Sequence, residues 1–504
     1  MNPLADLVAA AHRRYAAHPA VLAGGGPAGA GTTGAGTADF AELGARARAA
    51  AGALARLGLR PGDRVLIALD NRAETLPLEH GIWLGGLVRV AVGTRLHPEE
   101  IGAIAADCAP GALVCESRIA GALAGLPAGC RVITPDAGLG ALFTGPPGGP
   151  GEGPADGLAA LMYTSGSTGR PKGARVTGAA WAAMLEAMWA ALPPIGPGDV
   201  VLHTAPMSHF GGSVGSAYTL AGAAALPLAR FDAGAVLEAA ERHAVTAMPM
   251  VPTMLERLTA AAVERGARPA ALRAIVYGAA PISVPALLRA RDAFGDVLHQ
   301  FYGLSEALAP LTVLAPGDHA SGDAARLASA GRPVASVRLS VLDGDGAPLP
   351  AGETGELAVS GPQIMPGYWN DEAASAAALT GGVFRTGDLG FVDAGGYLHL
   401  AGRRSEVIVT GGYTVHPGEV ERAIAALDGV AEVAVLGVPD ATWGETVAAA
   451  VVPRPGAAVT EDDVLRACAA RLAGYKKPRR IVFADELPQN STGKVARRLL
   501  RAWF

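Results

Sequence analysis

The stretch Phe40–Leu69, FAELGARARAAAGALARLGLRPGDRVLIAL, sets the reading of the whole chain. Its first part carries apolar residues at helical spacing, Arg60–Asp63 is turn chemistry, and Arg64–Leu69 is an apolar run of strand length. The alternation recurs along the chain. Helices alternating with apolar strands imply an α/β fold.

The texture changes towards the C-terminus. Beyond about Val334, VRLSVLDGDGAPLPAGETGELAVSG reads as short strands with turn signals, an antiparallel sheet or small barrel. After Gly402 the pattern is strand, helix (PGEVERAIAAL), strand, strand, helix (EDDVLRACAARL), strand. The expected organisation is a large N-terminal domain of α/β layers with an appended β subdomain, residues 1–401, and a small mobile α+β domain, residues 402–504. Two glycine- and proline-rich stretches, Gly24–Gly36 and Thr144–Gly157, are expected as surface loops.

A chain of 504 residues exceeds what a single core usually organises, which favours at least two domains. Half of the residues are hydrophobic, but Ala and Gly carry the excess, as in a soluble packed protein. The uncharged run Phe210–Ala229 is broken by five glycines and serines within its first seven residues and contains Pro227, so buried sheet and loop are expected there and no membrane span. At the N-terminus Asp6 sits inside the apolar portion and Arg13 and Arg14 follow it, the reverse of a secretory signal, which predicts a cytoplasmic protein. Cys108, Cys115, Cys130 and Cys468 lack CxxC or zinc-finger spacing and read as inert core thiols. The net charge of −5 is modest, and basic residues are interspersed with acids except around Lys476, Lys477, Arg479 and Arg480, so nucleic acid is not an expected partner.

Chemistry concentrates first in Leu161–Gly173, LMYTSGSTGRPKG. An apolar strand end leads into small and hydroxyl residues and then Lys172. Small residues let backbone N–H groups approach phosphate oxygens; Thr164, Ser165, Ser167 and Thr168 add donors, Gly166 and Gly169 add room, and Lys172 adds charge. The spacing is not that of a Walker P-loop. Taken in isolation, a flexible Ser/Gly surface loop explains the segment equally well.

The longer string YTSGSTGRPKG resembles the phosphate-loop signature of the AMP-forming adenylating superfamily, which includes acyl-CoA synthetases, peptide-synthetase adenylation domains and beetle luciferases. Further motifs occur in that family's order: YGAAP at Tyr277–Pro281, YGLSE at Tyr302–Glu306, FRTGD at Phe384–Asp388, GRRSEVIVTGGYTVHPGEVE at Gly402–Glu421 and NSTGK at Asn490–Lys494. The resemblance spans nearly the whole chain. It implies activation of a small-molecule carboxylic acid by ATP with Mg2+, then transfer of the acyl group to coenzyme A; a carrier-protein thiol or another nucleophile is the alternative acceptor.

Residue roles follow from the same resemblance. Lys494 is the lysine that bridges carboxylate and α-phosphate oxygens; read by itself, a lone C-terminal lysine is usually solvated. Glu306 is the magnesium-contacting glutamate, a task for which one carboxylate plus phosphate oxygens suffices. Asp388 binds the ribose hydroxyls, with Arg403 assisting. Gly278, Ala279 and Ala280 lie against adenine, with the Tyr302 ring on its other face, and Gly303 and Ser305 complete that loop. His209, in PMSHFGG, stands at the floor of the acyl pocket, beside candidates Trp181, Met184, Phe210, Met250, Gly303 and Ala309. The C-terminal domain turns about Ser405, bringing Gly411, Gly412 and Tyr413 over the site. The family more often has Lys or Asp at the hinge, Asn where Thr414 stands, Thr where Ser305 stands and Tyr where Phe384 stands.

Two other patterns point elsewhere. GAGTTG at Gly29–Gly34 fits GxGxxG but lies within a glycine-rich loop that does not lead into a helix. GGSVG at Gly211–Gly215 fits the nucleophile elbow of a serine esterase, with His209 just upstream, yet no strand–turn–helix pattern surrounds it.

Overall fold

The computed structural model describes residues 3–23, 37–123, 125–149, 151–165, 171–410, 413–440, 442–489 and 495–504. The decoy Gly29–Gly34, the tip of the phosphate loop (Gly166, Ser167, Thr168, Gly169), Gly411, Gly412 and Lys494 lie outside the described residues.

The opening stretch folds as expected. Phe40–Arg56 is a helix whose first turn is closed by Asp39, which accepts from the Glu42 N–H at 2.8 Å; Arg64–Ala68 is a strand. That strand belongs to a six-stranded sheet, in spatial order Arg131–Ile133, Ala112–Cys115, Arg64–Ala68, Val88–Ala91, Leu158–Ser165 and Pro171–Thr177. A nine-stranded sheet carries the parallel strands Ala224–Pro227, Val200–His203, Ala247–Met250, Ala274–Gly278 and Leu298–Tyr302 side by side.

The two sheets share one core. Helices Pro3–Arg14, Phe40–Arg56, Thr75–Leu84, Gly178–Ala191 and Phe210–Leu220 lie between them, and the buried cluster there takes Val65 and Val114 from one sheet and Val201 and Val276 from the other. At its centre the Trp83 and Trp181 rings meet edge to face, 5.3 Å between centroids. Helices Ala233–Arg242, Pro252–Arg265 and Val284–Phe294 cover the outer face of the nine-stranded sheet, and Pro98–Cys108 covers that of the other. The layering is helix, sheet, helix, sheet, helix.

Arg338–Leu342, Gly355–Ser360, Leu379–Thr380, Val383–Val392 and Leu398–Arg403 form an antiparallel five-stranded sheet, the expected β subdomain. A separate sheet follows, built from Ile408–Thr410, Tyr413–Val415, Val430–Asp440, Gly444–Pro453 and Arg480–Phe483 with helices Pro417–Ala425 and Glu461–Ala469 packed on it. The architecture is a large N-terminal domain and a small C-terminal one. Arg454 and Glu256 meet across them at 3.7 Å.

One expectation needs correction. The run Phe210–Ala229 was expected as sheet and loop, but Phe210–Leu220 is a buried helix and only Ala224–Pro227 is strand. Its glycines serve close approach: a Cβ at Gly212 would overlap the Met207 carbonyl oxygen, and one at Gly211 would stand 2.8 Å from that of Pro206. The described residues of Thr144–Gly157 form the expected surface loop, without helix or strand, and backbone bonds tie it down at two points. The Gly148 N–H donates to Arg48 O and the Gly151 N–H to Leu84 O, both at 2.9 Å, and side chains at either glycine would clash with helix backbone. Among the described residues no helix is long and apolar enough to cross a membrane.

Candidate active site

Parallel strands deliver their carboxyl ends to one edge of a sheet, where loops can gather functional side chains. The phosphate-loop residues frame one part of this edge. Thr164 and Lys172 face each other across the hairpin of Leu158–Ser165 and Pro171–Thr177. The segment Gly367–Trp369 lies against the second of these strands, with Arg175 N–H donating to Gly367 O at 3.0 Å and Trp369 N–H to Gly173 O at 2.7 Å. This sets the Tyr368 ring beside Lys172, whose ammonium lies 5.4 Å from the ring centroid and 4.0 Å from Asp371.

Glu306 completes the group. It follows the strand Leu298–Tyr302, and its Oε1 accepts from the Tyr368 hydroxyl at 3.1 Å and from Thr164 at 3.4 Å. Burial and then the Glu306 charge push the Tyr368 phenol above its ordinary range, so it stays a donor. Among the described residues no cluster of three or more His, Cys, Asp or Glu side chains could hold a metal. One carboxylate beside a hydroxyl and a phosphate loop instead fits a magnesium ion held chiefly by nucleotide phosphates and water.

A second group lies between the large domain and the β subdomain. Asp388 and Arg403 are register partners on adjacent strands, Oδ1 to Nε 2.8 Å, and Tyr302 donates to Asp388 Oδ2 at 2.7 Å. Thr386 fixes the acid's backbone by accepting from Asp388 N–H at 3.0 Å while donating to Leu357 O at 2.9 Å. Burial and the neighbouring Asp388 hold the Tyr302 phenol well above its usual value. Burial opposes the charge of Arg403, but Asp388 and then Glu306 outweigh it and raise its pKa. That coupling ties the two groups into one electrostatic site.

The small residues fall at strand ends. Ala279 adopts φ 70°, a left-handed conformation that costs a non-glycine residue energy and marks a tight turn. A Cβ at Gly278 would overlap Phe301 O and lie 3.7 Å from the Phe210 ring, and one at Gly303 would come within 2.6 Å of the Ala309 Cα. Phe210 is thus close to Gly278, and Gly303 to Ala309. Trp181 and Met184 are buried in the core between the two sheets, whereas Met250, expected beside them, is buried in the outer cluster on the other face of the nine-stranded sheet.

His209 precedes the helix Phe210–Leu220, and its Nδ1 shares a 2.8 Å hydrogen bond with the Ser208 hydroxyl. Sequence reasoning missed what holds this loop. Asn71 accepts from Met207 N–H at 2.9 Å and donates to Ala205 O at 3.0 Å. Arg89, 2% exposed, donates to Met207 O at 3.0 Å and Ser208 O at 3.2 Å while paired to Glu79 at 2.6 Å. Burial raises the Glu79 pKa, with Arg89 opposing. Nothing in the local sequence links residues 71, 79 and 89 to residues 205–208; only tertiary structure does. Tyr368 and Asp371 were missed for the same reason.

In the C-terminal domain, Ser405 lies in the turn Arg404–Glu406, and the flanking arginines part company: Arg403 pairs with Asp388 and Arg404 with Glu356 at 3.2 Å. Arg497, three residues after Lys494, bonds Glu421 at 2.6 Å, Glu406 at 3.1 Å and Val435 O at 3.2 Å. Tyr413, expected over the site, is 57% exposed and stacks on Tyr475 at 4.6 Å; among the described residues no hydrogen bond, ion pair or ring contact joins it to Glu306, Asp388 or Lys172. The serine-esterase pattern fails: Ser213 is buried inside a helix and its hydroxyl donates to His209 O at 3.4 Å, the opposite of an exposed nucleophile.

The layered sheets and strand-end acids define an adenylate-forming fold, and comparison with known proteins agrees. Residues 8–369 match the AMP-binding enzyme family and residues 419–494 its AMP-binding enzyme C-terminal domain. A feruloyl-CoA synthase of Amycolatopsis sp is 36% identical over 472 residues, 92% of this chain and 94% of that protein. A fatty acid–[acyl-carrier-protein] ligase, ScoC, of Streptomyces coeruleorubidus is 32% identical, covering 93% and 92%. The solved amide bond synthetase McbA from Marinactinospora thermotolerans superposes with a TM-score of 0.88 at 28% identity, covering 99% of this chain and 100% of that one. The chain belongs to the AMP-binding enzyme family. Its chemistry is that of an ATP-dependent, AMP-forming carboxylate–thiol ligase of the acyl-CoA synthetase type.

Proposed function

We propose that this enzyme activates a small carboxylic acid as its acyl-adenylate in the cleft bounded by Thr164, Lys172, Glu306, Tyr302 and Asp388, and passes the acyl group to coenzyme A. The observation that carries the reading is geometric: Asp388 is held by Arg403 at 2.8 Å and by Tyr302 at 2.7 Å, while Glu306, four residues after Tyr302, accepts from Thr164 and from Tyr368 beside Lys172.

In the first half-reaction a carboxylate oxygen attacks the α-phosphorus and pyrophosphate leaves. Two anions must meet, so cations and oriented donors provide most of the acceleration. Lys172 and the hydroxyl loop hold the outer phosphates, Asp388 and Arg403 the ribose, and Gly278–Ala280 with Tyr302 the adenine. In this reading Asp388 exchanges partners, since Tyr302 and Arg403 now occupy its two oxygens. Glu306 would hold Mg2+, which neutralises phosphate charge when bound. Lys494 bridges carboxylate and α-phosphate.

In the second half-reaction the thiol sulfur attacks the acyl carbon and AMP leaves. Within this reading the chain divides at Ala401/Gly402, and residues 402–504 turn about Ser405 between the half-reactions, with Gly411, Gly412 and Tyr413 reaching the cleft only after that turn. Coenzyme A as acceptor is favoured by an aromatic and basic face on the C-terminal domain: Arg479 lies 4.5 Å from the centroid of the half-exposed Trp443 ring, and Tyr475 carries Lys476 at 5.8 Å. Such a face suits a phosphorylated nucleotide carrier. A carrier-protein thiol is the other acceptor the chemistry allows, and the setting of the reaction is the cytoplasm.

The test is carboxylate-dependent ATP–pyrophosphate exchange across aryl and aliphatic acids, with mass spectrometry of the same mixtures after coenzyme A is added. Exchange with acyl-CoA formation is expected. Exchange without it assigns another acceptor, and no exchange with any acid overturns the reading.

A further inference from the structure

We propose that Tyr368 is a positioning residue for the magnesium-binding acid: its hydroxyl holds one oxygen of Glu306, so that the other is presented to the cation. This rests on the reading above in which Glu306 takes Mg2+, and it adds a residue that lies outside the motifs quoted from the sequence.

Tyr368 lies in a segment, Ile364–Asp371, whose backbone is bonded to both sides of the cleft. On one side the Met365 N–H donates to Glu306 O at 2.9 Å, and Ile364 pairs with Ala307 in an antiparallel bridge. On the other, Tyr368 pairs with Ala174 in the same way, and the Trp369 N–H donates to Gly173 O at 2.7 Å, next to Lys172. The Tyr368 N–H donates to the Ser375 hydroxyl at 2.8 Å, which itself donates to Asp371 O at 2.7 Å. The phenol therefore starts from a backbone that is already registered against the acid it bonds.

Both hydrogen bonds to the carboxylate, from Tyr368 at 3.1 Å and from Thr164 at 3.4 Å, reach Oε1; among the described residues none reaches Oε2. A glutamate held only by its backbone turns about its side-chain torsions, and each turn moves the oxygen that a hard cation needs. A donor on one oxygen removes that freedom, which is how outer partners orient metal-binding carboxylates. A phenol suits the task. It is uncharged at neutral pH, so it leaves the carboxylate its full charge where Arg or Lys would cancel it, and its ring fixes the position of the hydroxyl. The same ring lies 5.4 Å from the Lys172 ammonium, so one side chain sets the acid and the phosphate-loop lysine relative to each other.

Tyr368→Phe removes the hydroxyl and keeps the ring beside Lys172. ATP binding is measured by titration calorimetry without any carboxylic acid, once with Mg2+ and once with EDTA, and the Mg2+ concentration for half-maximal ATP–pyrophosphate exchange is measured alongside. The variant should bind Mg-ATP about tenfold more weakly and need about tenfold more Mg2+, the worth of one hydrogen bond to a charged group, with its affinity for metal-free ATP unchanged. Equal weakening with and without Mg2+, or no change in either, overturns the proposal. Added to Glu306→Gln, the same substitution should cost little more, because a residue that acts through Glu306 loses its effect with it; a full further tenfold loss there overturns the proposal too. Wild-type Mg2+ dependence in Glu306→Gln itself removes the reading beneath, and the proposal falls with it.

Discussion

Asp388 and Arg403 face each other across two adjacent strands with 2.8 Å between carboxylate and guanidinium, while Tyr302, from the nine-stranded sheet, holds the other carboxylate oxygen. The residue just before the turn that carries Ser405 is therefore bonded directly to the ribose-binding candidate. Asp388→Asn should raise the KM for ATP and lower adenylation by about 10- to 100-fold, the worth of one or two charge-assisted hydrogen bonds. Exchange kinetics at varied ATP check this; an unchanged KM would separate Asp388 from the nucleotide.

Lys494→Ala should cripple adenylation and leave thioester formation from supplied acyl-AMP much less affected. Arg497 anchors the segment just after it to Glu421 and Glu406. Arg497→Ala should therefore give a milder version of the same split. Equal loss in both half-reactions for Lys494→Ala would contradict its role.

The Arg89–Glu79 pair supports the His209 loop from within the core. Removing one member leaves a buried charge, so Arg89→Met should cost about 3–5 kcal/mol of stability. The double variant Arg89→Met, Glu79→Leu should recover part of that. Denaturant melts of the single and double variants measure the difference, and a double variant less stable than the single one would refute the coupling.

Gly212→Ala places a methyl against the Met207 carbonyl oxygen. The expected destabilisation is about 1–3 kcal/mol, with reduced activity because His209 shifts with the helix start. Wild-type melting behaviour in this variant would mean that the helix can move away freely.

Burial, aided at His12 by Arg48 and Arg13, lowers the pKa of His12 and of His299 from 6.5 to about 4. The unfolded chain then binds more protons than the folded one between these values. Stability is complete above about pH 6.5 and is lost as pH falls towards 4, by up to about 1.4 kcal/mol per pH unit for each histidine. His12→Phe should flatten the slope of melting temperature against pH in that window. An unaltered slope would show that His12 contributes nothing to it.

The sequence by itself determined the α/β alternation, because the periodicity of Phe40–Leu69 is a local property, and it determined the family, because each motif is a short contiguous string. It also placed Glu306, Asp388 and Arg403 as candidates. Tertiary structure alone decided which side chains meet. Glu306 bonds Tyr368, sixty-two residues on; Arg89 bonds the carbonyl of Ser208; and His203 fills the space left by Gly215. The run Phe210–Leu220 shows the limit most clearly. Its glycines argued against a helix by propensity, yet the helix forms because those glycines let its backbone approach that of Pro206 and Met207, and packing outweighs the fraction of a kcal/mol to about 1 kcal/mol that each glycine costs. Pairings between distant segments depend on how the sheets stack, which local sequence does not encode.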